Sequence, residues 1–291
     1  MNADDFGMTA GVNRAIVEGC EQGIITSTTL MANANAFDDA IARGRELGHR
    51  QPRFSIGCHV VLLDGIPILP PERVPTLLQA PANGNARQLR INLSDFARSA
   101  LTGKLKAEEI EAEAKAQIRR IQEAGITLSH FDCHKHAHMF PAVLKPLLAA
   151  AKACGVATVR NPFGQLFPLP FDRVLRNPRL WRRLAELGVL RNFAPRFRRE
   201  VEKQGLRTPD GSVGVVVTGT LDLGSFVDLL GVLPEGTWEF VCHPGYNDAD
   251  LDRVRTRLRK SREEELALLT SAEAKAALQR RGVELISYGE L

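Results

Sequence analysis

The sequence predicts a parallel α/β architecture, with a barrel favoured over an open sheet. Short β-branched runs alternate with helical stretches along much of the chain, and polar side chains recur where several of these runs end. Hydrophobic residues make up 44% of the 291 positions, enough for a large core. Strand–helix alternation is typical of parallel sheets, and α/β barrels often fill one domain of about 250 residues. We therefore expect a single domain over residues 1–291.

The predicted strands are short apolar runs separated by helical segments. They lie at 25–33, 54–62, 126–134, 156–160, 213–219, 237–243 and 283–288. Apolar residues at helical spacing predict helices at 10–18, 37–47, 108–125, 141–155 and around 262–281. Gly125 and Gly155 end two of these helices and Pro141 begins one, because glycine suits a helix end and proline suits a first turn.

The stretch 161–212 breaks this alternation, and we expect it to form a basic insertion or lid. Within it, residues 173–207 carry ten arginines and one lysine against three glutamates, a net charge of +8, whereas the rest of the chain carries −4. Two interpretations stay open. The arginine stems could cover apolar neighbours on solvated helices, or the segment could make a peripheral contact with an anionic membrane surface.

Composition argues against several classes of protein. No run of about 18 apolar residues is present, so a membrane-spanning helix is not expected. The first residues lack the basic and apolar regions of a secretory signal, and the five cysteines contain no CxxC pair. Both features fit a reducing compartment, so we expect a cytoplasmic protein. The net charge of +4 gives no reason to expect a nucleic-acid partner.

Candidate catalytic residues lie at or just beyond the ends of predicted strands. They are Asp4-Asp5, His59, the cluster from Asp132 to His138, and His243. The carboxyl ends of parallel barrel strands converge on one face, where active sites are built, so these residues can meet in space. Each histidine alone could instead cap a strand or satisfy a core hydrogen bond. The coincident placements favour a shared site, and the residue types predict a metal-dependent hydrolase.

Three cysteines immediately precede candidate histidines: Cys58, Cys133 and Cys242. Adjacent strand residues face opposite sides, so if the histidines point into the barrel mouth, the cysteines point toward the surrounding helices. We interpret these cysteines as small packing residues and not as metal ligands.

In the DCHKHAH segment, Asp132, His134, His136 and His138 share one strand parity. Pro141 and the helix after it require the chain to turn soon after His134. We therefore expect His134 to be a metal ligand and the other three to be supporting or substrate-facing groups.

Asp4 and Asp5 form an acid pair on a predicted tight turn. One carboxylate could bind a cation while the other accepts a proton from water, because a metal lowers the pKa of water far enough for a carboxylate to act as base. The alternative is that the pair caps the helix at 10–18. Two adjacent acids favour the functional interpretation.

Five segments carry a family resemblance and run in order along nearly the whole chain. They are NADDFG (2–7), TSTTLM (26–31), GCHVVLLDG (57–65), HFDCHKHAHMFP (130–141) and CHPG (242–245). Together they resemble the YdjC-like carbohydrate deacetylases, a group that includes chitooligosaccharide deacetylases and hopanoid-associated deacetylases. The match is specific for the family and much less specific for the substrate.

The resemblance implies an irregular TIM-like (β/α) barrel that removes N-acetyl groups from amino sugars, with a divalent metal at the C-terminal ends of the strands. It assigns the metal ligands to Asp5, His59 and His134 and the general base to Asp4. His243 matches the histidine that protonates the leaving amine or assists the base. Magnesium is the metal expected from the resemblance, whereas ligand softness favours zinc or another transition metal.

The substrate implied is a chito-oligosaccharide or an amino-sugar glycolipid of hopanoid type, and Arg160, at the end of its strand, is a further candidate contact. Alternatives are a phosphoesterase or amidohydrolase that uses the same metal, or a catalytically inactive carbohydrate-binding barrel. A homodimer is an open alternative to a monomer. Only a short first strand precedes the acid pair, so either the true start lies upstream of Met1 or this strand lacks its opening half.

Overall fold

A six-stranded, wholly parallel sheet, curled into a half-barrel, forms the centre of the computed structural model, which describes residues 1–79, 87–164, 188, 190–215 and 217–291. The strands are β1 (Asn2–Phe6), β2 (Ser27–Leu30), β3 (Ser55–Val60), β4 (Leu128–Cys133), β5 (Gly211–Val213) and β6 (Trp238–Cys242). Their spatial order is β4-β3-β2-β1-β6-β5. The prediction of an irregular α/β barrel is confirmed, and β1 with its acid pair lies between β2 and β6.

Irregular pairings continue the sheet beyond β4. Two isolated parallel bridges join Phe131 to Val159 and Thr158 to Arg207. The Ser212 hydroxyl, in β5, donates a hydrogen bond to the carbonyl of Asn161 at 2.6 Å. Irregular backbone therefore lies between the β4 and β5 edges of the sheet. The strand predicted at 156–160 is reduced to these bridges.

The strand predicted at 213–219 is wrong, because the extended segment is β5 at Gly211–Val213. The chain turns at Gly214, which has a φ of +94°. A Cβ there would lie 2.4 Å from the carbonyl oxygen of Val241 in β6, so only glycine permits this approach. The last predicted strand, 283–288, is also absent: its Ile286 carbonyl accepts a hydrogen bond from the Thr26 hydroxyl at 2.7 Å, and a short 3₁₀ turn begins at Tyr288.

Ten α-helices lie within the described ranges. They are α1 (Ala10–Glu21), α2 (Phe37–Arg50), α3 (Leu93–Leu101), α4 (Ala107–Glu123), α5 (Pro141–Ala153), α6 (Ala194–Gln204), α7 (Leu223–Val232), α8 (Ala249–Asp252), α9 (Lys260–Thr270) and α10 (Ala272–Arg280). The helix predicted around 262–281 is divided into α9 and α10. Ser271 leaves the helical conformation at ψ 151°, and its hydroxyl caps α10 by accepting from the Ala274 amide at 3.1 Å.

Strands β1, β2 and β3 are buried along their whole length, as expected for a parallel sheet covered on both faces. Helices supply the covering side chains, among them Ile16 of α1, Ile118 of α4 and Leu147 of α5. Full burial of one such side chain contributes about 1.5–3 kcal/mol. This packing holds the carboxyl ends of the strands in fixed positions.

Much of the predicted basic insertion, residues 165–187 and 189, lies outside the described residues. Its described part includes α6, which packs against α5 and buries Phe197 and Val201. Arg196, Arg198 and Arg199 of the same helix are exposed. Within the described ranges, no helix combines the length and the apolarity needed to cross a membrane.

Candidate metal centre and active site

A backbone irregularity turns Asp4 and Asp5 toward the same site. In a regular strand, adjacent side chains face opposite sides. The pairing of β1 with β2 shifts register between Ala3 and Phe6, and Asp5 adopts a left-handed φ of +72°. Such a bulge changes the direction in which a side chain points. The left-handed backbone at a non-glycine residue costs about 1–3 kcal/mol and persists because the surrounding structure holds it. Both carboxylates are consequently buried beside the ends of β3 and β4.

Three donor atoms converge at this end of the sheet. Asp5 Oδ1 lies 3.6 Å from His59 Nε2 and 3.5 Å from His134 Nδ1, and the two ring nitrogens are 3.3 Å apart. Ligand atoms about 2.1 Å from a tetrahedral ion are themselves about 3.4 Å apart. The donor set therefore fits one divalent cation, and the structure brings together the three predicted ligands.

A second group of donors, Asp4, His59 and Asp132, is also close enough to hold an ion. Arg160, however, pairs with both of its carboxylates. A cation placed there would face a buried guanidinium, so electrostatics favour the site at Asp5.

His59 is oriented for metal binding by a carboxylate behind it. Its Nδ1 donates to Asp132 Oδ1 at 2.7 Å, which leaves Nε2 facing Asp5 and His134. Burial opposes the charged imidazole, but the neighbouring carboxylates, Asp132 foremost, raise the pKa of His59 to about 9. Asp132 therefore supports a candidate ligand and is itself 0% exposed.

His134 stands where the chain leaves β4. Lys135 and His136 have left-handed φ values of 53° and 54°, so the chain turns soon after His134, as the sequence predicts, and β4 ends at Cys133, one residue earlier than the predicted strand. Lys135 Nζ contacts Asp64 Oδ2 at 2.5 Å, which ties this turn to the segment after β3. Burial lowers the pKa of His134 and favours the neutral imidazole that binds metals.

Arg160 is completely buried among three carboxylates. Its guanidinium donates to Asp4 Oδ2 at 2.8 Å and Oδ1 at 2.5 Å, to Glu239 at 2.7–2.9 Å, and also contacts Asp132. Burial would raise the pKa of Asp4, but the facing Arg160 holds it well below its usual range. Tyr288 donates its hydroxyl to Glu239 at 2.7 Å and completes this network.

His243 follows β6 and approaches the acid pair. Its Nε2 lies 3.8 Å from Asp4 Oδ2, and its side chain is 12% exposed. Its backbone amide donates to Glu265 Oε2 at 2.6 Å, which anchors the segment to α9. The imidazole is thus next to Asp4 and still accessible from outside.

His136 and His138 lie in the turn after His134. His138 is 0% exposed, and its ring centroid is 6.4 Å from that of Phe197 in α6. His136 is partly exposed, with its ring centroid 6.3 Å from that of His138. Burial lowers the pKa of His136 to about 3 and that of His138 well below its ordinary value, so both rings are neutral at pH 7.

Thr29, Glu239 and Arg262 are among the residues at the site that were not predicted from the sequence. Thr29, in β2, places its hydroxyl 3.1 Å from His59 Nδ1 and 3.3 Å from Asp4 Oδ1. Glu239 could have been found, because a charge inside the apolar run 237–243 requires a buried partner. Arg262 carries no such signal, since it lies among the other charged residues of α9.

The fold and the site define an irregular parallel α/β barrel with a donor set at its carboxyl face that fits a divalent cation. The family model for YdjC-like proteins matches residues 1–280, and the chain belongs to the YdjC-like family. A carbohydrate deacetylase from Brevibacillus brevis is 31% identical over 100% of this chain and 98% of its own length. One from Geobacillus stearothermophilus is 32% identical over 100% and 96%.

A solved structure shows the same fold. The crystal structure of a protein from Enterococcus faecalis V583, named as a proposed cellobiose-phosphate cleavage protein, superposes with a TM-score of 0.75 and 26% identity. The match covers 99% of this chain and 96% of that one. The two proteins therefore share the same overall fold.

Proposed function

We propose that this protein is a metal-dependent carbohydrate deacetylase that hydrolyses the N-acetyl group of an amino sugar. The convergence of Asp5 Oδ1, His59 Nε2 and His134 Nδ1 within 3.3–3.6 Å of one another carries the proposal. The full-length relatives named carbohydrate deacetylase support the reaction.

Asp5, His59 and His134 would hold the cation. When bound, it supplies Lewis-acid polarisation of the acetyl carbonyl and lowers the pKa of water. Magnesium follows from the family resemblance, whereas a site with two imidazoles suits zinc or another transition metal. The identity of the metal is therefore one of the questions that the activity assay addresses.

Asp4 is the proposed general base. Arg160 keeps its carboxylate ionised and in a fixed orientation, so it is ready to accept a proton from the attacking water. His243, 3.8 Å from Asp4, would give a proton to the departing amine nitrogen or orient Asp4. Water thus supplies the oxygen of the released acetate, and the protons pass through these two side chains.

Arg160 and Asp132 are 0% exposed, which supports a role behind the site for both, in place of direct substrate contact. His136, partly exposed beside the donor set, is the better candidate for contact with substrate. His138, which is buried, would then lie behind the surface that contacts substrate.

The substrate is proposed to be a chito-oligosaccharide or an amino-sugar glycolipid of hopanoid type. Exposed Arg196, Arg198 and Arg199 of α6 support the lipid variant, because they could bind anionic headgroups. Binding to anionic but not to neutral liposomes would favour it, whereas equal binding would contradict an electrostatic membrane contact. The homodimer and the cytoplasmic location stay predictions.

Acetate release from N-acetylated chito-oligosaccharides tests the reaction. Metal-stripped protein is expected to be inactive, with activity restored by magnesium, zinc, cobalt or nickel. Turnover of a phosphoester without acetate release would select a phosphoesterase. Metal-independent sugar binding without turnover would select an inactive carbohydrate-binding barrel.

A further inference from the structure

Arg262, in α9, is 1% exposed, and its charge is satisfied at the acid pair. Its Nη2 donates to Asp5 Oδ2 at 2.6 Å, while its Nε faces the carbonyl of Leu258 at 3.3 Å. A buried guanidinium is costly unless it is paired and hydrogen-bonded. The guanidinium is therefore held on two sides, by the carbonyl of Leu258, just before α9, and by the Asp5 carboxylate.

The two oxygens of Asp5 have different partners. Oδ1 faces His59 Nε2 and His134 Nδ1, whereas Oδ2 accepts the bond from Arg262. A carboxylate can bind a cation through one oxygen or through both. The bond from Arg262 occupies Oδ2 and leaves Oδ1 as the free ligand atom.

The same arginine touches the segment that carries His243. Its Nη1 lies 3.4 Å from the carbonyl of His243, and its backbone carbonyl accepts from the Gly245 amide at 3.2 Å. A Cβ on Gly245 would lie 2.8 Å from Arg262 Cδ, so the glycine of the CHPG segment makes room for the arginine stem. Glu265, one turn later in α9, binds the His243 amide.

We propose that Arg262 is a positioning residue that restricts Asp5 to one metal-binding oxygen and holds His243 in register with the metal centre. The inference rests on the proposed function only in taking Asp5 as a metal ligand, and it does not depend on the substrate.

Metal affinity distinguishes a positioning role of Arg262 from a purely electrostatic role. The positive charge of Arg262 repels a cation, so a purely electrostatic role predicts tighter binding in Arg262→Met. Loss of a group that orients a ligand instead weakens metal binding by about 10–100-fold. Calorimetric titration of the metal-stripped proteins with Mg²⁺ and Co²⁺ measures the metal affinity. We expect Arg262→Met to bind both metals more weakly than the wild type.

Lys260→Met is the matched control, since Lys260 lies in the same helix with a side chain that is 83% exposed. Its metal Kd is expected to equal that of the wild type. Arg262→Lys keeps the charge but loses the planar fork, so it cannot hold Asp5 Oδ2 and the His243 carbonyl together. It should bind metal several-fold more weakly than the wild type, with an altered visible spectrum of the cobalt form.

Unchanged or tighter metal binding by folded Arg262→Met would overturn the inference. If that variant does not fold, judged by circular dichroism, an Arg262→Lys protein that matches Lys260→Met in Kd and cobalt spectrum would overturn it. A wild type that binds no metal would overturn the proposed metal centre and this inference together. Metal binding without acetate release would contradict only the proposed reaction.

Discussion

The two carboxylates of the acid pair, Asp4 and Asp5, are adjacent in sequence, similarly buried and each paired with a buried arginine. They differ in how many of their oxygens the arginine occupies. Asp4 gives both oxygens to Arg160. Asp5 gives one oxygen to Arg262 and presents the other to the imidazoles of His59 and His134.

Through this difference, one side-chain type acquires two roles. A carboxylate with both oxygens on a guanidinium is held ionised and oriented, but neither oxygen is left free to bind a metal. A carboxylate with one oxygen between two imidazole nitrogens presents a ready ligand atom. The environment, more than the residue type, separates the proposed base from the proposed ligand.

Removal of a proposed ligand on the Asp5 side should have the largest effect. We expect His134→Ala to lose metal binding and, with it, several kcal/mol of transition-state stabilisation, or roughly a 10³-fold loss of kcat/KM. Metal content after dialysis and acetate release measure the two losses. Retention of metal with full activity would remove His134 from the ligand set.

A change on the Asp4 side should affect turnover and spare the metal. Asp4→Asn removes the proposed proton acceptor but keeps the shape of the side chain, so kcat is expected to fall by about 10²–10⁴-fold. Steady-state kinetics at saturating metal provide the measurement. Activity within a few-fold of the wild type would show that another group is the base.

Removal of the arginine behind Asp4 should act on stability. Arg160→Met leaves three carboxylates without their shared cation, and breaking a buried ion pair from one side costs about 3–5 kcal/mol. Chemical denaturation should report this loss in the free energy of unfolding. Arg196→Met, at an exposed position of α6, should change it by no more than about 0.5 kcal/mol. Equal free energies of unfolding for the two variants would contradict a stabilising role of Arg160 among the three carboxylates.

A smaller effect is expected from acid. His130, a buried residue of β4, and His138 both have pKa values that burial holds well below the ordinary value of 6.5. Below pH 6.5 the unfolded chain therefore binds protons that the folded protein does not, and the free energy of unfolding falls by up to about 1.4 kcal/mol per pH unit for each ring. His59 has a raised pKa, so its contribution to the free energy of unfolding is complete below pH 6.5. That contribution is lost only as the pH rises above 6.5, outside the acid range.

Denaturation of metal-stripped protein between pH 5 and 7 measures this slope. His138→Gln should make the curve shallower, whereas His49→Gln, at an exposed site in α2, should leave it unchanged. A slope identical in all three proteins would show that the buried imidazole does not resist protonation.

The sequence predicted the carboxyl-end placement of His59, His134 and His243 because strand polarity in a parallel sheet determines where such side chains meet. Parity could not predict that Asp4 and Asp5 share a site, since the bulge in β1 reverses the ordinary alternation. Regular strands at 213–219 and 283–288 were predicted from β-branched composition, which does not reveal tertiary constraints such as the close approach at Gly214.

The buried arginine partners were the hardest to predict. Arg160 was expected to face substrate, because a strand-end arginine looks the same whether it points outward or inward. Its buried position depends on Glu239 and Asp132, which are distant in sequence and meet it only in the folded barrel.

Metal titration of Asp4→Asn and Asp5→Asn side by side tests the division between the two carboxylates most directly. Asparagine tolerates the left-handed backbone at position 5, so both variants should fold. We predict that Asp4→Asn binds metal with the wild-type Kd, whereas Asp5→Asn loses most of its affinity. Equal loss of metal binding in the two variants would contradict the separate roles of base and ligand.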